Sequence, residues 1–282
     1  MTHSRGTTPA RLVAGTALAL ALALSLGSAG SATAHQPEGS SAKASQKSLT
    51  LTRVNDAQVV SGDKVRFKGT APGALVDRRV ALQRAVGKNG EWVTVDTAKV
   101  KQDKSFKLSG VATGVGVNKW RARVKTSSLV HESRTRSTTV FGWFYLSEVE
   151  PVATNRFEDE PAKIGGTTYS RSMMNSSSFW YDDTSWGEWN INYACTQMQA
   201  AIGLDDKSAT GSQVAFRTYL DGAETSHGTK GLGVATAVAV DVSARLRIKL
   251  ESRYVAGPLG SGDTSGYGAW GDVRVLCSAP PG

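Results

Sequence analysis

The sequence predicts an all-β protein composed of two β-sandwich domains. Two observations support this fold class. Apolar and polar residues alternate in short runs along residues 48–278, and clusters of Gly, Asn, Asp and Ser separate these runs. Such alternation over roughly four to eight residues is typical of half-buried strands, and no run keeps helical spacing. The 235 residues after position 47 are enough for two domains of ordinary size.

The first 34 residues are predicted to be an export signal. Arg5 and Arg11 precede an apolar run of about 15 residues at 12–26, and small residues end in Ala32-Thr33-Ala34. This order of charge, apolar core and cleavage site is typical of a signal peptide. The alternative is a membrane anchor, which needs roughly 20 apolar residues. We therefore expect cleavage after Ala34, a secreted mature chain that does not span the membrane, and a disordered linker at 35–47.

Residues 48–141 are predicted to form the first sandwich. The pair Asn89-Gly90, between two alternating runs, indicates a β-hairpin. Trp92 and Trp120 stand in alternating runs, so we expect both in the core. About seven short strands with regular turns are typical of an antiparallel sandwich. The predicted strands cover residues 49–54, 64–69, 79–85, 92–95, 105–108, 118–125 and 137–141.

Charge divides the chain into two parts of opposite sign. Residues 48–141 contain 18 Lys and Arg against 7 Asp and Glu, whereas residues 142–282 contain 11 against 16. An exported basic domain can associate with anionic cell-wall polymers. The alternative is that the cations fill the solvent-facing positions of strands, as in Val65-Arg66-Phe67-Lys68. Nucleic acid is not an expected partner, because the sequence has no recognition motif.

The acidic part is predicted to hold a linker at 142–161, the second sandwich at 162–278 and a short tail at 279–282. The linker has several acidic residues and prolines but no sustained periodicity. Two stretches within the second domain, 179–189 and 260–270, combine aromatic and acidic residues. Such stretches on loops are candidates for ligand binding.

Both domains resemble known families. Residues 60–69, 80–84, 92–95 and 118–122 are similar to the immunoglobulin-like and fibronectin-like stalk domains of bacterial surface proteins, which are spacers. Five segments of the second domain resemble the NPCBM/NEW2 module. They are IGGTTY at 164–169, AIGLDD at 201–206, VAFRTYLDG at 214–222, VDVSARLRI at 240–248 and WGDVRV at 270–275. This resemblance implies a galactose-binding-like jelly-roll that binds carbohydrate through loops at one end.

A sugar site needs flat aromatic rings and polar groups that meet hydroxyls. Tyr181, Trp186 and Tyr267 are expected to be exposed beside loops, and Arg171 and Glu188 can hydrogen-bond hydroxyls. The alternative is that the two charged residues are only solvated. Trp270 stands at the start of the last strand and is expected in the core. The candidate ligand-binding residues are therefore Arg171, Tyr181, Trp186, Glu188 and Tyr267.

The sequence has two cysteines, Cys195 and Cys277. An even count in an exported chain favours a disulfide over two buried thiols. The bridge would close a loop of about 83 residues and contribute about 4–5 kcal/mol on the chain-entropy account. In jelly-rolls the first and last strands often lie side by side, so this bridge would fasten the second domain.

No catalytic or metal-binding motif is found, so we predict a protein that is not an enzyme and has no cofactor. The histidines after the signal stand outside nucleophile motifs, and no zinc-ligand spacing occurs. The carboxylates within 182–188 are candidates for a glycosidase pair. They stand in one short segment, however, and acidic loops are far commoner than catalytic pairs. Structural calcium is the one metal considered, through Asp205, Asp206 or Asp263.

Two functions from different classes remain. The first is a secreted, non-catalytic protein that binds a polysaccharide or a cell-wall glycan through the second domain. The second is a structural or adhesive surface protein whose basic first domain associates with the wall and which has no sugar site. Because fold alone does not give function, a hydrolase that uses the acidic aromatic stretch is kept as a third hypothesis.

Overall fold

The computed structural model describes residues 49–54, 58–175, 184–258 and 266–282. Within these ranges the regular structure is β-strand, apart from two short 3-10 helices, Gly73–Leu75 and Leu146–Glu148. The predicted all-β class with two sandwiches is confirmed. The described residues contain no helix that could span a lipid bilayer. The predicted signal and linker at 1–47, together with Tyr181 and Asp263, lie outside the described residues.

In the described part of the chain, the first sandwich has nine strands. They are β1 (Thr52–Arg53), β2 (Val59–Val60), β3 (Lys64–Thr70), β4 (Arg79–Val86), β5 (Val93–Lys99), β6 (Ser105–Val111), β7 (Gly116–Lys125), β8 (Val130–Glu132) and β9 (Arg136–Tyr145). One sheet has the order β1-β3-β6, and the facing sheet has the order β5-β4-β7-β9, to which β2 and β8 add short pairings.

Alternation along the strands produces the first core. In β3, Val65 and Phe67 are buried while Lys64, Arg66 and Lys68 are exposed. Trp120 is fully buried, and its ring centroid lies 5.2 Å from that of Phe67. Each such large apolar side chain contributes roughly 1.5–3 kcal/mol by leaving water.

The predicted hairpin joins β4 to β5, and its connection contains Asn89-Gly90. The expectation that Trp92 lies in the core is wrong. Trp92 is only partly buried and precedes β5, where its ring packs under the guanidinium of Arg121 at 4.2 Å. Trp92 therefore packs on the outer face of the sheet, where a cation–π contact with Arg121 takes the place of burial in the core.

Strand β9 belongs to both sandwiches. Residues 136–140 pair with β7, whereas Gly142–Tyr145 pair with the last strand of the chain. The segment 142–161, assigned to a linker from the sequence, therefore begins in the middle of a strand. Leu146 and Phe144 also pack in the second core. The aromatic run Trp143-Phe144-Tyr145 is extended because the second sheet offers it a hydrogen-bonded partner.

The second sandwich contains twelve further strands among the described residues. They are β10 (Ala153–Asn155), β11 (Phe157–Asp159), β12 (Ala162–Ile164), β13 (Thr167–Tyr169), β14 (Met173–Asn175), β15 (Thr184–Asn190), β16 (Cys195–Leu204), β17 (Gln213–Leu220), β18 (Ala223–Gly231), β19 (Thr236–Asp241), β20 (Arg247–Ala256) and β21 (Gly268–Cys277). One sheet has the order β10-β15-β20-β17-β18.

The other sheet is organised around β21. This strand pairs with β16 along one edge and with β14 and β9 along the other, and β19 extends the sheet beyond β16. Trp189, Phe216 and Trp270 fill the space between the sheets. Trp270 is fully buried, as expected from the sequence, and its indole nitrogen donates a hydrogen bond to Ser252 Oγ at 3.1 Å.

The disulfide predicted from the sequence is confirmed. Cys195 on β16 and Cys277 on β21 face each other in the strand register and are bonded. The partner strands are not the first and last of the sandwich, since β16 follows six shorter strands. The bridge nonetheless fastens the terminal strand to the centre of its sheet.

Candidate functional site

A groove crosses the outer face of the sheet that contains β21. Its volume is about 510 Å³. Two tyrosines, several small residues and three polar side chains line it. We call it the tyrosine groove and define it by Tyr145, Tyr169, Gln199, Ala200, Ala201, Ala237, Val238, Ala239, Gly271, Asp272 and Arg274.

The floor of the groove follows from strand register. Gly271 and Ala237 both pair with Ala201, so three small residues form one row across the sheet. The ring of Tyr169 lies directly on Gly271, where a Cβ atom would come within 2.6 Å of the tyrosine Cγ. Glycine is therefore required at 271 for Tyr169 to keep its place as one wall.

A second row supplies polar groups. Arg274 pairs with Tyr145 on one side and with Gln199 on the other. Its guanidinium donates to Gln199 Oε1 at 3.1 Å and lies 4.5 Å from the ring centroid of Trp143. Flat stacking leaves the edge of a guanidinium free to donate further hydrogen bonds.

An irregularity in β21 places Asp272 at this groove. Between the pairs Gln199–Arg274 and Ala201–Gly271 the register shifts, so that two residues of β21 oppose one of β16. Asp272 has a φ of 45°, in the left-handed region that few non-glycine residues adopt. Bulges of this kind redirect a side chain and are common beside functional sites.

Arg171 reaches the same groove from the β13–β14 connection. Its backbone amide donates to Asp272 Oδ1 at 3.0 Å. Its guanidinium lies 4.4 Å from the ring centroid of Tyr145, and its Nε lies 3.1 Å from Glu148 Oε1. The side chain is about half exposed, with 51% of its area accessible, so it is available to a ligand at the rim.

The opposite sheet carries a second aromatic surface, which we call the aromatic face and define by Trp186, Tyr219, Lys249 and Glu251. The ammonium of Lys249 lies 5.0 Å from the ring centroid of Trp186 and 4.4 Å from that of Tyr219. Glu188, on the same strand as Trp186, pairs with Arg247 at 3.6 Å.

The charges of the aromatic face satisfy one another. Glu251 accepts contacts from Lys249 at 2.8 Å, Tyr219 Oη at 3.1 Å and Arg217 at 3.3 Å. Burial acts to raise the pKa of Glu251, but the hydrogen bonds from Lys249, Tyr219 and Arg217 outweigh it and hold that pKa below its ordinary value. The pKa of Tyr219 is raised, first by burial and then by the charge of Glu251. A ligand here would have to compete with these pairs.

The four candidate residues within the described ranges are not brought together. Arg171 lies at the tyrosine groove, whereas Trp186 and Glu188 lie on the other sheet. The expectation that Tyr267 is exposed is wrong, since 8% of its area is accessible and it packs with Ile164 and Met174. It is buried because β21 begins one residue later and draws it beneath the β12–β13 hairpin. Tyr181 lies outside the described residues.

Asp205 and Asp206, two of the carboxylates considered for calcium, hold turns. Asp205 accepts from the amides of Lys163 at 2.7 Å and Lys207 at 2.9 Å. Asp206 accepts from Gly165 and Gly166 at 2.8 and 2.9 Å, so it fixes the β12–β13 turn. Within the ranges that the structure describes, no group of three or more His, Cys, Asp or Glu could hold a metal ion.

Comparison with known proteins decides the family. Residues 126–276 match the sequence model of the NPCBM/NEW2 domain. The chain belongs to the NPCBM/NEW2 family. The match begins just before β8 and includes all of β9, in agreement with the pairing of β9 to β21. No curated protein matches the chain. The NPCBM/NEW2 module is a carbohydrate-binding module with a galactose-binding-like fold, and not a catalytic domain.

The tyrosine groove of this NPCBM/NEW2 module was missed in the sequence. Tyr145 lies within the linker predicted at 142–161, and Tyr169, Gln199 and Asp272 are not among the candidate site residues predicted from the sequence. One signal was present: Trp143 and Tyr145 alternate around a buried-type Phe144, as outward residues of a strand do. The convergence of Tyr145, Tyr169 and Asp272 has no local signal, because three separate strands supply it.

Proposed function

We propose that the protein is secreted and binds a polysaccharide or cell-wall glycan, without catalysis, in the tyrosine groove. The observation that carries this is the pairing of two partly buried tyrosine walls with Gln199, Asp272 and Arg274 around one open cavity of about 510 Å³. Aromatic rings cover the apolar faces of a sugar, and amide, carboxylate and guanidinium groups meet its hydroxyls.

The shape of the groove favours part of a chain over a single enclosed sugar. Its floor of small residues is open along the sheet, and Ala237 and Ala239 on β19 are exposed at its far side. Arg171 and Arg274 stand on the side of Tyr145 and Trp143. A glycan lying across the strands would therefore meet rings, then polar groups, then the alanine floor.

The absence of catalysis and the secretion are parts of the same proposal. The family is a binding module, and the carboxylate of Asp272 already accepts a backbone hydrogen bond, which suits a positioning role. Export is supported by the predicted signal and by the disulfide, which persists in oxidising compartments. Amino-terminal sequencing of protein from the culture medium should begin at His35.

Glycan-array screening followed by titration of the mature protein tests the binding. Tyr169→Ala and Asp272→Asn should each weaken binding about tenfold or more, because the first removes a ring face and the second replaces a charged acceptor with a neutral amide. Tyr219→Ala on the aromatic face is the matched control and should bind like the parent. If Tyr219→Ala or Trp186→Ala loses binding while the groove variants keep it, the ligand lies on the other sheet. No retention on any glycan would refute the function.

A second candidate function is adhesion to the cell wall through the first sandwich. The segregation of charge favours it, since residues 48–141 carry a net charge of +11 and residues 142–282 one of −5. Attachment of the whole chain to isolated walls should then weaken steeply as salt rises, because exposed charges are screened. Attachment that ignores salt would exclude it.

A further inference from the structure

One face of the first sandwich concentrates cations in neighbouring rows. Lys64, Arg66 and Lys68 project outward from β3, and Lys107 projects from β6 directly opposite Lys68. We call the surface formed by these four residues the basic face. Consecutive outward positions on a strand are about 7 Å apart, so three charges follow one another along β3 at that spacing.

The basic face borders a groove. Its volume is about 460 Å³, and all four cations line it. Asp96 also lines it, but both of its oxygens accept backbone hydrogen bonds, from Thr97 at 2.8 Å and Ser109 at 2.7 Å. Among the described residues, neither Lys68 nor Lys107 forms an ion pair.

The pair Lys68–Lys107 costs stability, because like charges directly opposite on neighbouring strands repel. The facing sheet has one similar pair, Arg79 opposite Lys99, so such a pair alone does not identify a site. The difference is that Lys68 and Lys107 share a groove with two further cations, whereas Arg79 and Lys99 line none of the described cavities. An anionic chain in the groove would relieve the repulsion.

We propose that the basic face binds a linear phosphodiester polymer of the cell envelope, and this rests on the adhesive function proposed above. Phosphate matches both kinds of cation on this face, because lysine binds it as a point charge and the planar fork of arginine can bind it through two hydrogen bonds. Hydroxyl donors accompany the charges: Thr52 pairs with Lys68, and Ser109 pairs with Arg66. The polymer would run along β3, with successive phosphates at successive cations.

The test uses the whole mature chain and synthetic poly(glycerol phosphate) as the probe. Lys68→Gln with Lys107→Gln should bind it about tenfold to thirtyfold more weakly and with a shallower salt dependence. Arg79→Gln with Lys99→Gln removes the same charge and the same type of pair, and it should lose less than threefold. The Lys68/Lys107 variant should melt no lower than the parent, since it relieves repulsion.

Several outcomes would overturn the proposal. If the two double variants lost the same amount of binding to poly(glycerol phosphate), net charge alone would account for that binding. Equal binding of polygalacturonate would assign the face to carboxylates instead. Parent protein that attaches to walls in a salt-dependent manner but ignores poly(glycerol phosphate) would leave adhesion standing and remove this ligand. Binding of neutral glycans by the Lys68/Lys107 variant should stay at the parent level, which separates this face from the tyrosine groove.

Discussion

The two sandwiches bury the same kind of core beneath different surfaces. In the first, Trp120 packs against Phe67 with centroids 5.2 Å apart, and in the second, Trp270 packs against Phe216 at 5.6 Å. The first is strongly basic and lacks cysteine, whereas the second is acidic and has a disulfide. Of the eight non-glycine residues with positive φ in the described ranges, six lie beyond residue 142.

This difference gives the two surfaces that we propose for binding a different geometry. Regular alternation on β3 gives a flat row of like charges, which suits an extended polyanion. A bulge on β21 with a left-handed Asp272 breaks the alternation and turns polar groups into a cavity, which suits a ligand with directional hydroxyls. The irregular backbone costs stability, and the disulfide in the same strand offsets part of that cost.

Removal of the disulfide should give the largest difference between the two halves. Cys195→Ser with Cys277→Ser removes a link between residues 82 positions apart in the chain and should lower the free energy of unfolding by about 4–5 kcal/mol. Denaturant unfolding followed by tryptophan fluorescence measures this. Reductant should reproduce the loss in the parent and leave the variant unchanged. Equal midpoints for parent and variant would show that the bridge does not support the second sandwich.

The junction between the sandwiches can be broken at Gly142, where β9 passes from one to the other. A Cβ at this position would lie 2.5 Å from Val115 Cγ2. Gly142→Ala should therefore cost about 1–3 kcal/mol by overpacking. Val115→Ala in the same chain should recover most of the loss, which a double-mutant cycle measures. Failure of this rescue would place the strain in the backbone rather than in the contact.

Replacing each of the two core tryptophans by Phe should lower the free energy of unfolding by different amounts, and this difference is smaller than the effects above. Trp270 donates to Ser252, whereas the indole nitrogen of Trp120 has no hydrogen-bond partner among the described residues. Trp270→Phe should thus cost about 1 kcal/mol more than Trp120→Phe, because it also orphans a buried hydroxyl. Ser252→Ala added to Trp270→Phe should restore part of the difference. Identical costs for the two Phe variants would contradict the role of this bond.

The smallest expected effect is a pH dependence confined to the second sandwich. Burial, and then the charge of Lys230, lowers the pKa of His227, whose Nε2 lies 2.9 Å from Thr218 Oγ1. In the unfolded chain the imidazole of His227 takes up a proton near pH 6.5, whereas in the folded chain it does so only at a lower pH. The free energy of unfolding should therefore be highest above about pH 6.5 and should fall as the pH drops below that value. His227→Gln should flatten the melting temperature between about pH 7.5 and 5.5. A parent and variant with the same slope would exclude His227.

Much of the fold could be read from local pattern. Each of the seven strands predicted for the first sandwich has a counterpart, because alternation and turn residues act over a few positions. The second-domain family resemblance and the disulfide were also predicted. The continuation of β9 was not, since Gly142 interrupts the alternation and the partner strand is about 130 residues away in the chain.

The amino-acid sequence is enough to predict the class of fold, the division of charge, the cysteine pair and the family of the second sandwich. Each depends on composition or on residues close together in the chain. Which polar and aromatic side chains share a surface follows only from the three-dimensional arrangement of the strands. The order of the strands places Tyr145, Tyr169 and Asp272 in one groove. It also buries Tyr267 and places Trp186 on the opposite sheet. The physical reason is that pairing between distant strands, and one bulge within them, sets the direction of each side chain.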